Sequence, residues 1–434
     1  LTEMDRYWDT KFTILSKHAL QPFMLCLNEE TNVAQLNRIA NRLLAEHTSV
    51  QRSQTFDFLV NGSLFTDVQT LGTFIAEHNL STEHIIEIEC VQRVPEPVPY
   101  QVLKHQEWVS DAQATKRFVL SACYDGTVNA WNYEGDRLSF LKYNNERLKA
   151  LCLIPDRASQ DMVKFAAGSA DQTVFVGAFH CESNKFSISK IGFGHEESVE
   201  CVAACSDGLK LASGGSDSYL KIWDIANMPL NFENDPNEQS AAFRTDSRKK
   251  MTPMFTLAGH RDQIAGVCWK SPAEVVTASW DHSIHVWDVE LIDKTCALSG
   301  DCCFTDIAYS SLNGLLLSSC SDCSVRMWDL RSSVIFFNYY FEFVFCRLEG
   351  SMVKGLFKSH QRWASSVDWS KSNVNLFLSS DYAGLLKLWD IRNAQSPLYD
   401  LKSTANKMLC CDYSIPEYLI GGGTDGCLAV FKAM

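Results

Sequence analysis

The sequence predicts a small α+β domain followed by an all-β propeller of seven four-stranded blades, and three observations carry that reading. A turn aspartate stands six residues ahead of a tryptophan four times, at Asp125 and Trp131, Asp217 and Trp223, Asp281 and Trp287, and Asp322 and Trp328. Including weaker copies, the frame positions 131, 177, 223, 287, 328, 389 and 431 are mostly 41 to 46 residues apart, the length of one blade. Residues from about 10 to 92 follow no such frame and mix strand alternation with a helical period.

In chain order, residues 11–16 and 22–28 read as two strands. Val33, Leu36, Ile39, Ala40, Leu43 and Leu44 then recur at the spacing of one helix face. Phe56 to Val60 is a strand running into an Asn61-Gly62 turn, Leu64 starts a short return, Leu71 to His78 forms a short second helix, and Ile85 to Val91 closes the set as a strand. Two strands, a helix, two strands, a short helix and a strand is the order of a ubiquitin-like β-grasp, expected over residues 10–92. Proline at alternate positions, Pro95, Pro97 and Pro99, favours an extended segment, so 93–99 reads as a semi-rigid linker.

The propeller is expected over 100–434, and its clearest blade is Thr277 to Asp288. Residues 275–278 make one strand, Asp281 and His282 a hairpin turn, and Ile284 and Val286 alternate towards Trp287. With Gly259-His260 upstream, the spacing predicts a buried hydrogen-bonded chain of His260, Thr277, Asp281 and Trp287. The third blade repeats it with His195, Ser213, Asp217 and Trp223. These histidines read as structural, since each has a partner in its blade. Asp171 with Gly177 and Asp425 with Phe431 are degenerate copies, while the sixth blade keeps Trp389-Asp390 and Ser359-His360 but has Ala383 at the turn. The first, second, fifth and last blades read as lacking the histidine. Residues 421–423 read as the end of a blade strand. The last blade has three strands of its own, so Tyr100 to Lys104 is expected to supply the fourth and close the ring.

Two insertions lengthen the frame. Residues 226–252 are polar and read as a disordered loop, with Arg244 and Arg248-Lys249-Lys250 as a candidate nuclear-import signal. Residues 332–352 hold the strip 334–345, so dense in aromatics that it reads as a gene-model artefact rather than a docking strip.

Function classes narrow on composition. No apolar run is long enough to span a bilayer, which takes about 20 residues, and the chain reads as globular with no secretory leader; its first methionine, Met4, suggests that the true start lies upstream. A formal charge of -13 argues against strong direct nucleic-acid binding, which needs clustered Lys and Arg. The 17 cysteines are irregularly spaced and many sit in apolar strand patterns, as at Cys201, Cys268 and Cys410, so they read as reduced thiols. Cys320 and Cys323 form a CxxC, but no second pair completes four ligands, and no metal is expected. The sequons at Asn61 and Asn79 read as chance matches. With no phosphate loop, dinucleotide fingerprint or nucleophile elbow, the chain reads as no enzyme and as needing no cofactor.

A family resemblance sharpens this. Residues 56–62 and the run Leu80-Ser81-Thr82-Glu83 to Glu89 resemble the Notchless-like (NLE) ubiquitin-like domain that precedes certain WD-repeat ribosome-assembly factors. The resemblance implies that Glu83, after the Leu-Ser pair, is a ligand in trans to the Mg²⁺ of an adhesion site on midasin, a giant AAA ATPase. A single carboxylate can do this because Mg²⁺ keeps positions open to hard oxygen ligands. Together with seven blades, Trp108-Val109-Ser110, 278–282 and 396–401, the chain is similar to the WD-repeat subunits of the PeBoW complex. That similarity implies a non-enzymatic factor for the large (60S) ribosomal subunit, acting in rRNA processing. It implies Bop, Pescadillo, midasin and the pre-60S particle as partners, and the nucleolus and nucleoplasm as location. The alternative is a substrate adaptor of a ubiquitin ligase, although no ligase-docking element is visible.

Overall fold

The computed structural model describes residues 7–15, 22–47, 55–65, 69–80, 85–156, 161–226, 250–332, 353–403 and 406–433. Two compact units, Leu1–Glu96 and Pro97–Met434, divide within the proline-rich stretch.

The first unit runs β1 (Tyr7–Leu15), β2 (Phe23–Asn28), α1 (Val33–His47), β3 (Phe56–Val60), β4 (Ser63–Phe65), α2 (Leu71–Glu77) and β5 (Ile86–Gln92). Its sheet has the order β2-β1-β5-β3-β4, with β1 parallel to β5 and the other pairs antiparallel. The unit starts earlier than residue 10 because Tyr7 already pairs with Asn28. The helical spacing puts Val33, Leu36, Ala40 and Leu44 on one buried stripe of α1, against a core that holds Phe12, Phe58 and Ile88. Asn37, on the same helix, donates to the Phe56 carbonyl at 3.2 Å and accepts its N–H at 2.8 Å, which fixes α1 to β3. Asn61 and Gly62 both take positive φ, 49° and 84°, as a tight hairpin demands.

In the second unit, seven sheets follow one another, and their innermost strands are Val109–Ala114, Leu148–Ile154, Val199–Ala204, Ile264–Ser271, Phe304–Tyr309, Ala364–Trp369 and Met408–Asp412. Each innermost strand neighbours the next, and the last neighbours the first, so the cycle closes. Strand Val98–Lys104 pairs antiparallel with Cys427–Lys432 and completes the last sheet, buttoned by Leu103, which is buried against Val109 and Leu428. That strand begins at Val98, inside the stretch expected to be linker. Pro99 sits at a register irregularity of this edge strand, where the missing N–H is tolerated.

The fourth blade has strands at Glu274–Ser279 and Ser283–Asp288, with His282 in the turn at φ 68°. Of the first insertion, Lys250–Met251 is a short strand that pairs parallel with Ile191 and Gly192, giving the second sheet a fifth strand rather than continuing a loop. Residues 227–249 of that insertion, with Arg244, Arg248 and Lys249, lie outside the described residues, as does the aromatic strip 334–345. No helix among the described residues is long and apolar enough to cross a membrane.

Candidate partner-binding face

Each sheet places two residues at the same end of the ring: the one just before its innermost strand and the one just after its second strand. In all seven sheets the second residue's N–H donates to the first one's carbonyl, at 2.8 to 3.1 Å: Tyr124 to Trp108, Ala170 to Arg147, Ser216 to Ser198, Trp280 to Gln263, Ser321 to Cys303, Tyr382 to Trp363 and Thr424 to Lys407.

The hydrogen-bonded chains lie just inside this end. In the third sheet His195 Nδ1 is 2.8 Å from Asp217 Oδ2 and Nε2 is 2.7 Å from Ser213 Oγ, while Trp223 Nε1 donates to Ser213 Oγ at 2.8 Å. In the fourth the matching distances for His260, Asp281, Thr277 and Trp287 are 2.9, 2.7 and 2.8 Å. Burial pushes both aspartates up, but the bonds from the histidines and from backbone N–H groups outweigh it and hold them below the usual carboxylate range.

Two expectations need correction. The sixth sheet does not lack its acid: Asp381, two residues before Ala383, takes the role, 2.8 Å from His360 Nδ1, with Ser379 and Trp389 completing the chain at 2.7 and 2.9 Å. The geometry allows it because the last residue of the second strand faces the histidine; a Cβ on Gly215, its equivalent in the third sheet, would lie 2.8 Å from His195 Nδ1. The first sheet does not lack its histidine: His105 Nε2 is 2.8 Å from Ser121 Oγ and accepts from Trp131 Nε1 at 2.9 Å. Burial pushes this imidazole down to about 4, so it is neutral, as an acceptor Nε2 requires.

The face outside the chains is uneven. Trp108, Trp280 and Trp363 are exposed at 44, 38 and 41%, unusual for indoles on a folded domain. Trp108 stacks on Tyr124 and Trp363 on Tyr382, and Trp280 meets Trp363 edge to face at 6.4 Å, from the fourth sheet to the sixth past the small Cys303 and Ser321 of the fifth. Cations thread the same arc: Arg147 and Lys149 lie over Tyr124 at 5.4 and 5.5 Å, and Lys407 over Tyr382 at 5.8 Å. Rigid aromatics with buttressed faces, interleaved with cations, are what fixes a protein partner at low entropic cost. Residue frames tuned to blades pass over them. An aromatic directly ahead of an innermost strand, as in Trp108-Val109 and Trp363-Ala364, was the available signal.

The arc borders a central cavity of about 840 Å³ lined by Asp111, Asp306, Asp368 and Asp412. These carboxylates staple the ring. Asp111 accepts from Leu151 N–H at 2.7 Å, Asp306 from Val367 at 3.2 Å, Asp368 from Tyr413 at 2.8 Å and Asp412 from Ala114 at 2.9 Å, each bond crossing to the next sheet. Burial, opposed by those N–H bonds, raises Asp306 to about 6 and Asp412 to about 7, with Asp368 adding to both. Ser366 Oγ also donates to Asp306 Oδ2 at 2.7 Å. Glu83 lies outside the described residues.

Comparison with known proteins agrees with this fold. The WD40 family, described as WD domain, G-beta repeat, matches residues 187–224, 251–288 and 294–329. The WD40 propeller domain of Doa1 superposes with a TM-score of 0.59 at 16% identity, over 78% of this chain and 97% of that one. The chain is 33% identical over 413 residues to a Culex quinquefasciatus protein named ribosome biogenesis protein WDR12 homolog, covering 95% of this chain and 91% of that one. Proteins of the same name from Aedes aegypti and Anopheles gambiae are 34 and 32% identical, over 92 and 97% of this chain and 89 and 94% of theirs.

Proposed function

The chain belongs to the WDR12 family of ribosome biogenesis proteins, and from that membership we propose that it is a non-enzymatic assembly factor of the large (60S) subunit with two separate handles. Its seven sheets are the blades of a complete propeller that holds the Bop partner, and through it Pescadillo and the pre-60S particle, in the nucleolus and nucleoplasm. Its first unit is an NLE-type ubiquitin-like domain whose Glu83 offers a carboxylate to the midasin adhesion-site metal, so that ATP-driven movement strips the factor away. The chain needs no cofactor of its own.

The observation that carries the first handle is the aromatic and cationic arc of Trp108, Tyr124, Trp363, Tyr382, Arg147 and Lys407. Stacking holds its rings in place before any partner arrives, which lowers the entropy lost on binding. Affinity purification of the full chain tests both handles. Trp108→Ser with Trp363→Ser should lose Bop and Pescadillo while keeping midasin. Glu83→Ala should keep Bop and lose midasin. Retention of Bop by the doubly substituted chain refutes the arc, and recovery of cullin components in place of large-subunit precursors refutes the whole assignment in favour of a ligase adaptor.

A further inference from the structure

The fifth sheet departs from its neighbours in the slot where the histidine of a hydrogen-bonded chain would lie. The residue four places ahead of the innermost strand is His105, Asn144, His195, His260 and His360 in the first, second, third, fourth and sixth sheets, but Gly300 in the fifth. A Cβ there would sit 2.7 Å from the Phe304 ring and 3.0 Å from Arg326 Nη1, so these side chains fill the slot instead. Arg326 also takes over the turn acid, its Nη2 donating to Asp322 Oδ2 at 2.7 Å.

Two thiols face this slot. Cys320 ends the second strand and is fully buried, at the position from which Asp381 reaches His360 in the sixth sheet. Cys302 lies two places ahead of the innermost strand. The residue there is exposed in the other six sheets, as Glu107, Glu146, Glu197, Asp262, Arg362 and Asn406, whereas Cys302 is buried. It has turned inward. The two sulfurs and an Asp322 oxygen lie within 4.8 Å of one another.

We propose that Cys302 and Cys320 are a reversible redox couple, in which a disulfide joins the loop before the innermost strand to the end of the second strand, as the His360–Asp381 pair does in the sixth sheet. The alternative, a divalent metal on Cys302, Cys320 and Asp322, is disfavoured because the Arg326 guanidinium already holds the carboxylate. The same guanidinium favours a thiolate. The neighbouring Cys320 thiol, with Arg326, outweighs burial and holds Cys302 below the ordinary cysteine range; Cys320 is correspondingly raised. Cys302 is thus the attacking sulfur and Cys320 the resolving one.

The oxidant is a peroxide. The Cys302 thiolate attacks one peroxide oxygen, the O–O bond breaks, and Cys302 becomes a sulfenic acid while hydroxide takes up a proton and leaves as water. The Cys320 sulfur then attacks the Cys302 sulfur as its own proton passes to the departing hydroxyl; the S–O bond breaks, S–S forms and a second water leaves. Two thiols are oxidised and one hydrogen peroxide is reduced to two waters. A dithiol reductant reverses the link, as befits thiols in a reducing compartment.

The test uses the full chain and hydrogen peroxide. Cleavage must fall at aromatic residues, because no Lys or Arg separates Cys302 from Cys320 while Phe304 and Tyr309 do. Expected are a Cys302–Cys320 link in the wild type, a dimedone adduct on Cys302 in Cys320→Ser, and oxidation of Cys302 about tenfold faster than of the exposed Cys26. Arg326→Gln should slow Cys302 several-fold without moving the rate at Cys26. Should Cys320→Ser fail to fold, dimedone competition on the wild-type chain reads the same sulfenic acid. Linkage of Cys302 to Cys303, or of Cys320 to Cys323, overturns the couple. So does a Cys302 no faster than Cys26, or zinc retained on the purified chain with both thiols protected.

Discussion

Asp381 is the sharpest test of how the ring is clamped. Its carboxylate and the His360 ring are both fully buried. It accepts from His360 Nδ1 at 2.8 Å, from Ala383 N–H at 2.9 Å and from Leu385 N–H at 3.0 Å. Asp381→Ala strands one imidazole N–H in the interior and two amides in a half-buried turn. A buried unsatisfied donor costs about 1 to 3 kcal/mol, and the two turn amides recover part of theirs from water, so the expected loss is about 3 kcal/mol. Moving the acid should restore it. Asp381→Gly with Ala383→Asp rebuilds the arrangement of Gly215 and Asp217, and should come within about 1 kcal/mol of wild type. The acid's effect should also depend on pH. Burial raises Asp381, but His360 and the backbone N–H groups hold it below 3.8, so its contribution is present above that value and fades as the pH falls beneath it. Urea titration followed by tryptophan fluorescence reads all three, with Trp389 inside the chain as a local probe. A loss under about 1 kcal/mol in Asp381→Ala, or no recovery in the double variant, would refute the reasoning.

The cavity carboxylates give the opposite pH sign. Asp412 titrates near 7 in the folded chain against 3.8 ordinarily, so between those values the native state holds more protons, and stability falls as the pH rises. Asp412→Asn, which can still accept from Ala114, should flatten that fall in urea midpoints measured at pH 5 and 7.5; an unchanged slope would count against it. The slope should shrink rather than vanish, because Asp306 acts in the same direction. His285 is buried, stacks on His260 at 3.9 Å, and has an Nδ1 without a hydrogen-bond partner. His285→Phe keeps the stack and removes the orphan atom, so the melting temperature should hold or rise by an amount worth about 1 kcal/mol, and a clear drop would show the imidazole to be needed. Closure of the last sheet is tested at Leu103, which is 1% exposed. Leu103→Asp should cost about 4 kcal/mol in urea unfolding, against under about 0.5 for the exposed Lys104→Asp, and equal effects would mean that the closing strand contributes little.

Where a residue's local spacing determined its partners, the fold was legible in the sequence. The Asp–x₅–Trp frame led to the chains at His195 and His260 because each lies within one sheet, at fixed offsets along strands of fixed length. Asp381 escaped the frame because the slot can be reached from two backbone positions, the turn and the strand end, and only the fold shows that both face the histidine. His105 escaped because it follows Lys104 rather than a Gly or Ser and stands 26 residues ahead of Trp131, against 27 to 29 for the other histidines. The members of the aromatic arc carry a local signal, but their grouping is illegible for a different reason. Trp108 and Trp363 lie 255 positions apart in the chain, and only the ring brings their sheets to one side of the mouth. The bond from Asp412 to Ala114 spans nearly the whole array for the same reason.

The same architecture explains why the clamps can vary while the ring persists. Each sheet has a slot of fixed shape, bounded by the strand end, the turn and the loop before the innermost strand. What the backbone requires is that its polar groups be satisfied, not that a histidine do it. In the second sheet Asn144 donates to Ser169 and Asp171 at 3.0 and 2.8 Å. The first sheet has a neutral His105 facing the Gly426 carbonyl, and the fifth has Arg326 on Asp322. The pairs at the mouth sit one residue from these slots, so the loop that positions a clamp also positions an exposed side chain. Loss of a clamp should therefore register at the face as well as in stability. Asp381→Ala, next to Tyr382, should weaken partner capture even under conditions where the chain stays folded, whereas Asp217→Ala, below the small Ser198 and Ser216, should weaken it less for a similar loss of stability. Capture reduced equally by both variants would mean that the arc depends on global stability alone and not on its own sheets.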